Sequence, residues 1–597
     1  MRRALVLALC IATPATAQQA ADAVTTEGTS ATETAAFEGL PDRVRQALEA
    51  KANGEPTEGQ DWMVAAANPL AVEAGAKVLE QGGSAADAMV AVQTVLGLVE
   101  PQSSGLGGGA FLVWYDAESG ELTTLDGRET APLAATPQLF QNENGEPLDF
   151  YDAVVGGRSV GTPGTPALME EAHSKWGNLE WADLFTEATT LAREGFTVSP
   201  RLATLVADDQ DRLTRFQSTA DYFYPEGQPI AAGDTLTNAA YADTLDAIAQ
   251  NGSIAFYNGE IAQGIVDTVA NAEGNPGVLS LIDLAIYRVK ERPAVCAAYR
   301  DRDVCGMGPP SSGALTVGQI LGMLNQFDLG EMGPLSPEAW RLIGDASRLA
   351  FADRGEYMAD SDFVPMPTDG LVAPAYLESR AMLLNGGEAL NEVSAGAPEW
   401  SHAMNWATDQ SIEFPSTSHI SIVDADGNVL SMTTTIENGF GSRLMAPGGF
   451  LLNNELTDFS FSTHQDGDPI ANRVEPGKRP RSSMSPTIVM QDGAPVLAIG
   501  SPGGSRIIGY VAQAIINHVD WGMDVQQALG APHAVNRFGT FDLEEGTAIA
   551  DLAEPLGEMG FETNLRDLTS GLHAIQIDGE TLRGGADPRR EGVAVGQ

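Results

Sequence analysis

The chain has 597 residues, a hydrophobic content of 43% and a formal net charge of −48. A charge this negative argues against nucleic acid or an anionic membrane surface as a partner. The length and apolar content suffice for a large buried core, either as two or more ordinary domains or as one large domain. Beyond the N-terminal segment no apolar run is long enough to span a bilayer, so we expect no membrane span.

The first residues are typical of an export signal. Arg2 and Arg3 precede an apolar run that ends at Ala12, and Ala15-Thr16-Ala17 fits a small-residue cleavage site. We therefore expect a signal peptide at residues 1–17 and export to the periplasm or secretion. An uncleaved anchor is the alternative, but the apolar run is short for one. Residues 18–60, rich in Ala, Thr, Glu and Gln, are expected to form a flexible acidic leader with room for one short helix.

Two cysteines, Cys296 and Cys305, lie beyond the predicted signal peptide. They flank eight residues that fit a tight hairpin, and an oxidising compartment favours a disulfide between them. Two buried thiols are the alternative. We expect no metal site and no cofactor, because two cysteines and scattered histidines offer no metal-ligand spacing.

Apolar residues at helical spacing between Pro69 and Val99, broken by Gly82-Gly83, predict two packed helices. They lead to the glycine-rich loop Gly105-Leu106-Gly107-Gly108-Gly109. A strand, Phe111 to Tyr115, follows these glycines, whereas a phosphate-binding loop opens a helix. Close backbone packing is therefore the preferred explanation for the loop.

Helical patterns dominate from about residue 160 to 395, and strand patterns take over from Thr417. A hairpin is predicted around Asp426-Gly427, and a second joins residues 487–490 to residues 496–499. An apolar helix follows Gly503-Gly504. This order of elements suggests antiparallel sheets buried between layers of helices.

Thr417 begins the first of these strands and is a candidate nucleophile. A cut between Ser416 and Thr417 would place a new α-amine beside the threonine hydroxyl, which combines base and nucleophile in one residue. Hydroxyl groups return on the partner strand at Thr433-Thr434-Thr435. An ordinary strand start is the alternative.

Other segments carry groups that acyl transfer needs. Gly503 and Gly504 offer unhindered backbone N–H groups for a developing oxyanion. Arg128 follows a predicted strand, where its guanidinium suits a carboxylate, and Ser482-Ser483 add hydroxyl donors. Acceptors for an ammonium group occur in the segment 453–458, so the whole set suits the head group of an α-amino acid.

Together these segments resemble the γ-glutamyltransferase family of N-terminal nucleophile hydrolases. The resemblance runs from about Asn68 to Arg590 and is carried by many ordered motifs. These are Gly105–Gly109, Asp126-Gly127-Arg128-Glu129, Pro309–Gly313, Ala352-Asp353-Arg354, Thr417-Ser418-His419, Thr433–Thr435, Phe440-Gly441-Ser442, Leu451–Glu455, Arg481–Thr487 and Gly500–Ser505.

The resemblance implies a four-layer αββα sandwich built from two subunits that one precursor forms by cutting itself. The subunits are a large one, residues 61–416, and a small catalytic one, residues 417–597, held together as a heterodimer. Implied substrates are glutathione or other γ-glutamyl compounds, with water, an amino acid or a peptide as acceptor. By this resemblance Thr417 is the nucleophile, Thr435 orients its hydroxyl, and Gly503 and Gly504 form the oxyanion hole. The α-carboxylate of the donor is bound by Arg128, Ser482 and Ser483. The α-amine is bound by Glu455 and Asp458.

Three departures from the family pattern bear on the donor. Glu437 stands where the family usually has Asn, and a third acid beside one ammonium group is expected to alter donor preference. Thr457 replaces a common Asp. The segment 460–478 lacks the Tyr or Trp of the lid found in many members, so either Phe461 or His464 substitutes for it or the site is more open.

Two alternative functions are compatible with parts of this pattern. An acylase acting on glutaryl or cephalosporin-type amides shares the fold but needs no α-amine site, and Glu455 and Asp458 argue against it. A non-catalytic periplasmic binding protein would keep the pocket without the chemistry, and the complete set of Thr417, Thr435 and the glycine pair argues against that.

Overall fold

A computed structural model describes residues 39–401, 406–409, 411 and 413–597. The signal peptide predicted at residues 1–17 lies outside these residues. Two large antiparallel sheets form the centre of the molecule. Both sheets combine strands from before and after Thr417.

The strands are, in chain order, β1 (Thr57–Gly59), β2 (Met63–Ala66), β3 (Gly109–Tyr115), β4 (Leu122–Gly127), β5 (Phe196–Thr197), β6 (Thr235–Leu236), β7 (Lys290–Pro293), β8 (Val295–Tyr299), β9 (Arg302–Gly306), β10 (Ser418–Val423), β11 (Val429–Thr435), β12 (His464–Gln465), β13 (Asp468–Pro469), β14 (Thr487–Gln491), β15 (Ala494–Gly500), β16 (Ala534–Asn536), β17 (Thr540–Glu544), β18 (Glu562–Arg566), β19 (His573–Asp578), β20 (Thr581–Ala586) and β21 (Val593–Gly596).

The α-helices are, in chain order, α1 (Asp42–Ala52), α2 (Pro69–Glu80), α3 (Ala85–Val99), α4 (Phe150–Val154), α5 (Thr165–Trp176), α6 (Thr186–Glu194), α7 (Pro200–Asp208), α8 (Gln210–Leu213), α9 (Gln217–Phe223), α10 (Ala239–Asn251), α11 (Ile254–Tyr257), α12 (Gly259–Ala270), α13 (Leu281–Ile286), α14 (Gly313–Leu324), α15 (Leu329–Met332), α16 (Pro337–Tyr357), α17 (Thr368–Leu371), α18 (Pro374–Ala381), α19 (Ile507–Val519), α20 (Val525–Gly530) and α21 (Ala553–Glu558).

The sheet that carries Thr417, the nucleophile sheet, has the strand order β21-β2-β10-β11-β3-β4-β7. The second sheet has the order β1-β20-β19-β15-β14-β9-β8. Alternation along β2 shows how the layers meet: Val64 and Ala66 face the helices, whereas Met63 and Ala65 lie between the sheets. A strand buried on both faces requires apolar residues at every position, as β2 has.

Helices cover the outer face of each sheet. The helices α2, α3 and α5 pack on the nucleophile sheet, and α14, α19 and α20 pack on the second. Behind them, α10 contacts α3, and α16 packs on α14. The order of layers is therefore helix, sheet, sheet, helix. This confirms the predicted αββα sandwich.

The predicted pair of helices between Pro69 and Val99 is present as α2 and α3. Asn68 caps α2 by accepting from the N–H of Leu70, and Ser84 forms a capping box with Asp87 at the start of α3. Gly82 between them has φ +83°, a conformation that favours glycine. The break predicted from the glycines therefore falls where the two helices separate.

The hairpin β10–β11 is also present as predicted. Val423 pairs with Val429, and Gly427 in the turn has φ +84°. The carboxylate of Asp424 accepts hydrogen bonds from the N–H groups of Asp426 and Asn428, which holds the turn. The second predicted hairpin is β14–β15.

Part of the predicted leader belongs to the folded body. Residues 42–52 form α1, whose Val44 and Ala47 are buried in the core of α2 and α3. The edge strand β1 pairs with β20. The short helix that the sequence allowed is thus present, but residues 42–59 are not a flexible segment, because an apolar helical face within this polar stretch finds a partner in the core.

Cys296 and Cys305 form a disulfide across β8 and β9, where they are paired residues in the register. Arg300, with φ +55°, makes the tight turn that the spacing suggested. In the part of the chain that the structure describes, no helix combines the length and apolar character that a membrane span requires.

Candidate active site

Thr417 immediately precedes β10, and Thr435 ends β11. The antiparallel register pairs Ser418 with Thr434 and so brings the two threonines side by side. Their hydroxyl oxygens are 3.0 Å apart, a hydrogen bond in which either can donate. The backbone N–H of Glu437 donates to the Thr435 hydroxyl at 2.9 Å, which fixes the orientation of that side chain.

The backbone of Thr417 is held in an unusual conformation. Its φ is +97°, a value that a β-branched residue rarely adopts. Arg590 holds the carbonyl oxygen of Thr417 through a hydrogen bond of 3.3 Å from its Nη1. Strained backbone of this kind persists only where surrounding contacts impose it, and here it lies at the predicted cleavage site.

The glycine pair at the start of α19 contacts the residues ahead of Thr417. The N–H of Gly503 donates to the carbonyl oxygen of Ser416 at 3.1 Å, which is the carbonyl that Thr417 would attack. Gly504 has φ +57°, and a Cβ on it would lie 2.5 Å from the carbonyl oxygen of Phe414. Both conformation and close approach therefore require glycine here.

The loop at residues 105–109 packs directly behind the site. A Cβ on Gly108 would lie 2.0 Å from the carbonyl oxygen of Thr435, and one on Gly107 would lie 2.0 Å from that of Leu451. Close backbone packing, the explanation preferred from the sequence, is confirmed. The loop holds the end of β11 in place.

Arg128, just beyond β4, lies at the centre of a buried group of acids. Its Nη1 bonds to Glu455, and its Nη2 lies 2.5 Å from Asp458 Oδ2. Its Nε and Nη2 also donate to the carbonyl oxygens of Pro480 and Arg481. Glu455 and Asp458 reach Arg128 because they begin and end one 3-10 turn.

Glu437 adds a further carboxylate to this group. The side-chain amide of Asn454 donates to one of its oxygens, and the N–H of Phe414 donates to the other at 3.3 Å. Its φ of +75° turns the side chain toward the cavity. The departure from the family pattern therefore lies at the site itself.

Burial keeps these acids easier to protonate than they are in water. It raises the pKa of Glu129, next to Arg128, to about 8, and it raises the pKa values of Glu437, Glu455 and Asp458 well above their usual range. A single guanidinium does not offset four carboxylates in a medium of low dielectric constant. The group is thus suited to a ligand that brings a positive charge.

Ser482 and Ser483 precede β14 and face the same cavity. The Ser482 hydroxyl accepts from the N–H of Met484 at 3.1 Å, and the Ser483 hydroxyl accepts from Arg354 at 2.8 Å. Arg354 in turn bonds to Glu413. Of these residues, sequence reasoning left Arg354 and Glu413 without a role.

Almost every residue predicted for the site lines one cavity. Its free volume is about 20 Å³, room for about one water molecule. Glu413 and Phe414, which precede the predicted cut, also line it. The predicted residues in the lining are Arg128, Thr417, Thr435, Glu437, Glu455, Asp458, Ser482, Ser483 and Gly504.

The histidine of the Thr-Ser-His motif does not act on the nucleophile. Both ring nitrogens of His419 are engaged, with Thr433 at 2.9 Å and Ser421 at 3.0 Å. Burial lowers the pKa of His419 well below its usual value, so the ring is neutral. It packs between the sheets as a structural group.

Of the two candidates for a lid residue, Phe461 packs against the body and His464 is exposed. The ring of Phe461 stacks on Phe140 with centroids 4.6 Å apart. His464 lies on the hairpin β12–β13. Both line a second cavity of about 430 Å³ that Phe150 and Thr457 also border. Phe150 packs against Phe414, which lines the cavity at Thr417.

Three functional residues escaped the sequence reasoning. Glu129 belongs to the buried acids, Arg590 holds Thr417, and Arg354 holds Ser483. Glu129 and Arg354 lie in motifs that carried the family resemblance, which was the available signal, and Arg590 lies at the end of the segment that the resemblance covers. Among the described residues, no three His, Cys, Asp or Glu side chains are grouped to hold a metal ion.

A threonine at a strand start, with a glycine N–H group at the preceding carbonyl, is the arrangement of a self-processing N-terminal nucleophile hydrolase. Comparison with known proteins agrees. The gamma-glutamyltranspeptidase family matches residues 71–597. The chain belongs to this family.

Two relatives and one solved structure illustrate the similarity. The glutathione hydrolase proenzyme of Bacillus subtilis (strain 168) is 39% identical over 550 residues, 90% of this chain and 92% of that one. The glutathione hydrolase proenzyme of Escherichia coli (strain K12) is 36% identical over 551 residues, 89% and 91% of the two chains. The cephalosporin acylase from Bacillus halodurans superposes with a TM-score of 0.81 at 27% identity, covering 91% of this chain and 97% of that one.

Proposed function

We propose that this protein is a self-cleaving γ-glutamyltransferase and glutathione hydrolase. The observation that carries the proposal is the single cavity in which Thr417 faces Arg128, the two serines and the buried acids. Such a cavity suits a zwitterionic head group placed within reach of a nucleophile. Membership of the gamma-glutamyltranspeptidase family gives the same reaction class.

The first reaction is the cut between Ser416 and Thr417. The hydroxyl of Thr417 attacks the carbonyl carbon of Ser416, and the N–H of Gly503, 3.1 Å from that oxygen, stabilises the developing charge. The peptide C–N bond breaks as the ester forms, and the amine takes up a proton. Water then hydrolyses the ester, which separates residues 1–416 from residues 417–597.

The second reaction uses the freed amine of Thr417 as the base. Its reference pKa is about 7.7–8.0, which allows it to accept the hydroxyl proton near neutral pH. Thr435 orients the hydroxyl, and Gly503 with Gly504 stabilises the oxyanion. The γ-glutamyl group passes to Thr417 Oγ as the amine portion of the donor leaves with a proton. It then passes to water, an amino acid or a peptide.

The donor head group binds by exchanging partners with the site. Arg128 is now paired with Glu455 and Asp458. An incoming α-ammonium takes over these acids together with Glu437, while the α-carboxylate takes Arg128, Ser482 and Ser483. Each buried charge of the site thus keeps a partner of opposite charge when the donor binds, which limits the desolvation cost of binding.

An acylase that prefers glutaryl or cephalosporin-type donors is the second candidate, because a cephalosporin acylase shares the fold closely. Such a donor has no α-ammonium. It would leave Glu437, Glu455 and Asp458 without a cation to replace Arg128. The γ-glutamyl donor therefore fits the acids better.

Export is proposed on two observations. The first 17 residues have the pattern of a signal peptide. The disulfide between Cys296 and Cys305 fits an oxidising compartment. The periplasm or the exterior is thus the proposed location.

Two measurements test the function. The purified protein should run as two fragments on a denaturing gel, whereas Thr417→Ala should remain one chain. It should also release p-nitroaniline faster from γ-glutamyl-p-nitroanilide than from glutaryl-p-nitroanilide. A wild-type chain that stays whole contradicts self-cleavage, and faster turnover of the glutaryl compound contradicts the donor.

A further inference from the structure

Glu413 is a buried carboxylate four residues before the predicted cut. It is 4% exposed and lines the same cavity as Thr417. The reaction proposed above gives it no part. A buried carboxylate placed in a substrate cavity requires an explanation, since burying a charge is costly unless partners hold it.

Those partners form a complete carboxylate-binding set. Arg354 Nη2 bonds directly to Glu413 Oε1, and the Nε of Arg481 lies 3.6 Å from the same oxygen. Burial acts to raise the pKa of Glu413, but the charges of Arg354 and Arg481 hold it below its usual value. Glu413 is thus ionised, and the set binds a carboxylate rather than a neutral acid.

Ser483 links this set to the predicted donor site. Its hydroxyl oxygen accepts a hydrogen bond from Arg354 Nη2 at 2.8 Å. The O–H of Ser483 therefore points away from Arg354. The same atom, Arg354 Nη2, also contacts the carboxylate of Glu413, so it joins Ser483 to Glu413. Arg354 Nε donates to Ser312 at 2.8 Å, which fixes the plane of the guanidinium.

Arg128, by contrast, is largely occupied. Its Nε and both Nη atoms already donate, to Glu455, to Asp458 and to two backbone carbonyl oxygens. In the uncut chain Arg354 holds the carboxylate of Glu413, whereas Arg128 holds those of Glu455 and Asp458. Arg128 thus lines the cavity directly, and Arg354 lies behind two residues of the lining, Glu413 and Ser483.

We propose that Arg354 acts with Ser483 to bind the donor's α-carboxylate, and that Glu413 fills this place until the chain is cut. Cleavage turns Glu413 into part of a free C-terminal tail, which can leave and still competes with the donor. The inference rests on the proposed γ-glutamyl function. It adds a second arginine to the donor site and an internal ligand that precedes the substrate.

Two donors that differ only in the α-carboxylate test the role of Arg354. For Arg354→Lys, we expect kcat/KM for γ-glutamyl-p-nitroanilide to fall at least tenfold, mainly through KM. The value for 4-aminobutyryl-p-nitroanilide, which lacks the carboxylate, should change less than twofold. An equal loss with both donors would show a structural role and overturn the proposal.

A second variant keeps this test decisive if Arg354→Lys does not mature. Ser483→Ala removes the hydroxyl but no charge, and should show the same dependence on the donor's carboxylate. If its losses are equal for the two donors, the carboxylate site is not at Ser483 and Arg354.

The tail is tested with Glu413→Gln and the matched control Glu399→Gln, an exposed glutamate earlier in the same segment. In the mature enzyme, Glu413→Gln should lower KM for γ-glutamyl-p-nitroanilide at least threefold, and Glu399→Gln should leave it unchanged. The peptide acetyl-Glu-Phe-Pro-Ser should inhibit competitively, and its Gln analogue at least tenfold more weakly. The tail's role would be contradicted if Glu413→Gln and the wild type had the same KM and the two peptides inhibited equally.

The two levels of the proposal fail differently. A wild-type enzyme that does not turn over γ-glutamyl-p-nitroanilide at all would contradict the proposed function. Turnover of that donor with no effect of Arg354 or Glu413 on its KM would contradict only this inference.

Discussion

Thr417 depends on neighbours that come from distant parts of the sequence. Thr435 faces its hydroxyl, Arg590 holds its carbonyl oxygen, and Gly503 holds the carbonyl oxygen of the residue before it. None of these contacts involves a charged base. In the proposed mechanism the base is therefore the amine that cleavage releases, so an uncut chain would have the nucleophile without the means to activate it on a donor.

The hydroxyl of Thr435 is expected to matter more than its shape. Thr435→Val keeps the volume but removes the partner at 3.0 Å from Thr417 Oγ. We expect kcat/KM in the mature enzyme to fall by roughly 10²-fold, as for the loss of one positioned donor. Thr435→Ser should stay within about tenfold of the wild type. Comparable losses in both variants would show that the methyl group, not the hydroxyl, is responsible.

The buried acids predict a dependence of ligand binding on pH. Burial raises the pKa values of Glu437, Glu455 and Asp458 well above their usual range, and that of the adjoining Glu129 to about 8, so the buried acids lose protons as the pH rises. An α-ammonium binds the ionised form, so the inhibition constant of L-glutamate should decrease as pH rises from about 6.5 to 8.5.

Glutarate is the matched ligand, because it carries the carboxylates without the ammonium. Its inhibition constant should not improve over the same range. If the two ligands show the same dependence on pH, the acids do not serve the α-amine.

At the scale of elements, the site is built from the ends of hairpins and the loops that pack on them. The hairpin β10–β11 brings Thr417 to Thr435, and the 3-10 turn at residues 455–458 carries two acids to Arg128. Alternating apolar residues and an Asp-Gly pair made both hairpins predictable. Close backbone packing of the glycine-rich loop was predicted, but its partner, the carbonyl oxygen of Thr435 behind Gly108, was not, because sequence spacing does not say which backbone atom a glycine approaches.

The turn that carries Gly504 gives a prediction about cleavage. Gly504→Ala combines a left-handed φ of +57° with a Cβ at 2.5 Å from the carbonyl oxygen of Phe414. We expect at least tenfold slower conversion to two fragments, followed on denaturing gels, because the residues before the cut are displaced.

Gly493→Ala is the matched control, since Gly493 also has positive φ, +82°, but no atom lies within 4 Å of its Cβ position. It should cost about 1 kcal/mol of stability and leave the rate of cleavage unchanged. Equal slowing in both variants would attribute the effect to backbone strain alone.

At the scale of the whole molecule, the cut divides a sheet and not two domains. The strands β10 and β11, after the cut, lie between β2 and β3, which come before it. Each part alone would expose the apolar faces of both sheets. Cleavage therefore changes the connection of the chain without separating its core.

The fragments are expected to stay together after cleavage. The mature protein should elute from a sizing column as one species containing both fragments, and should come apart only when it unfolds in denaturant. Fragments that separate in native buffer would contradict the shared core. The uncut Thr417→Ala variant is the control, and it should elute at the same volume.

The sequence by itself determined the alternation of helices and strands, the hairpins, the acidic surface and the set of site residues, because these follow from periodicity, turn chemistry and motif order. It misjudged the segment at residues 42–59, whose apolar face is too short to identify without its partner. Tertiary structure alone decided that Arg128 is paired with Glu455 and Asp458, and that Arg354 holds Glu413 at the cavity that Thr417 lines. Pairings between residues hundreds of positions apart depend on where the layers place them, and local pattern carries no information about that.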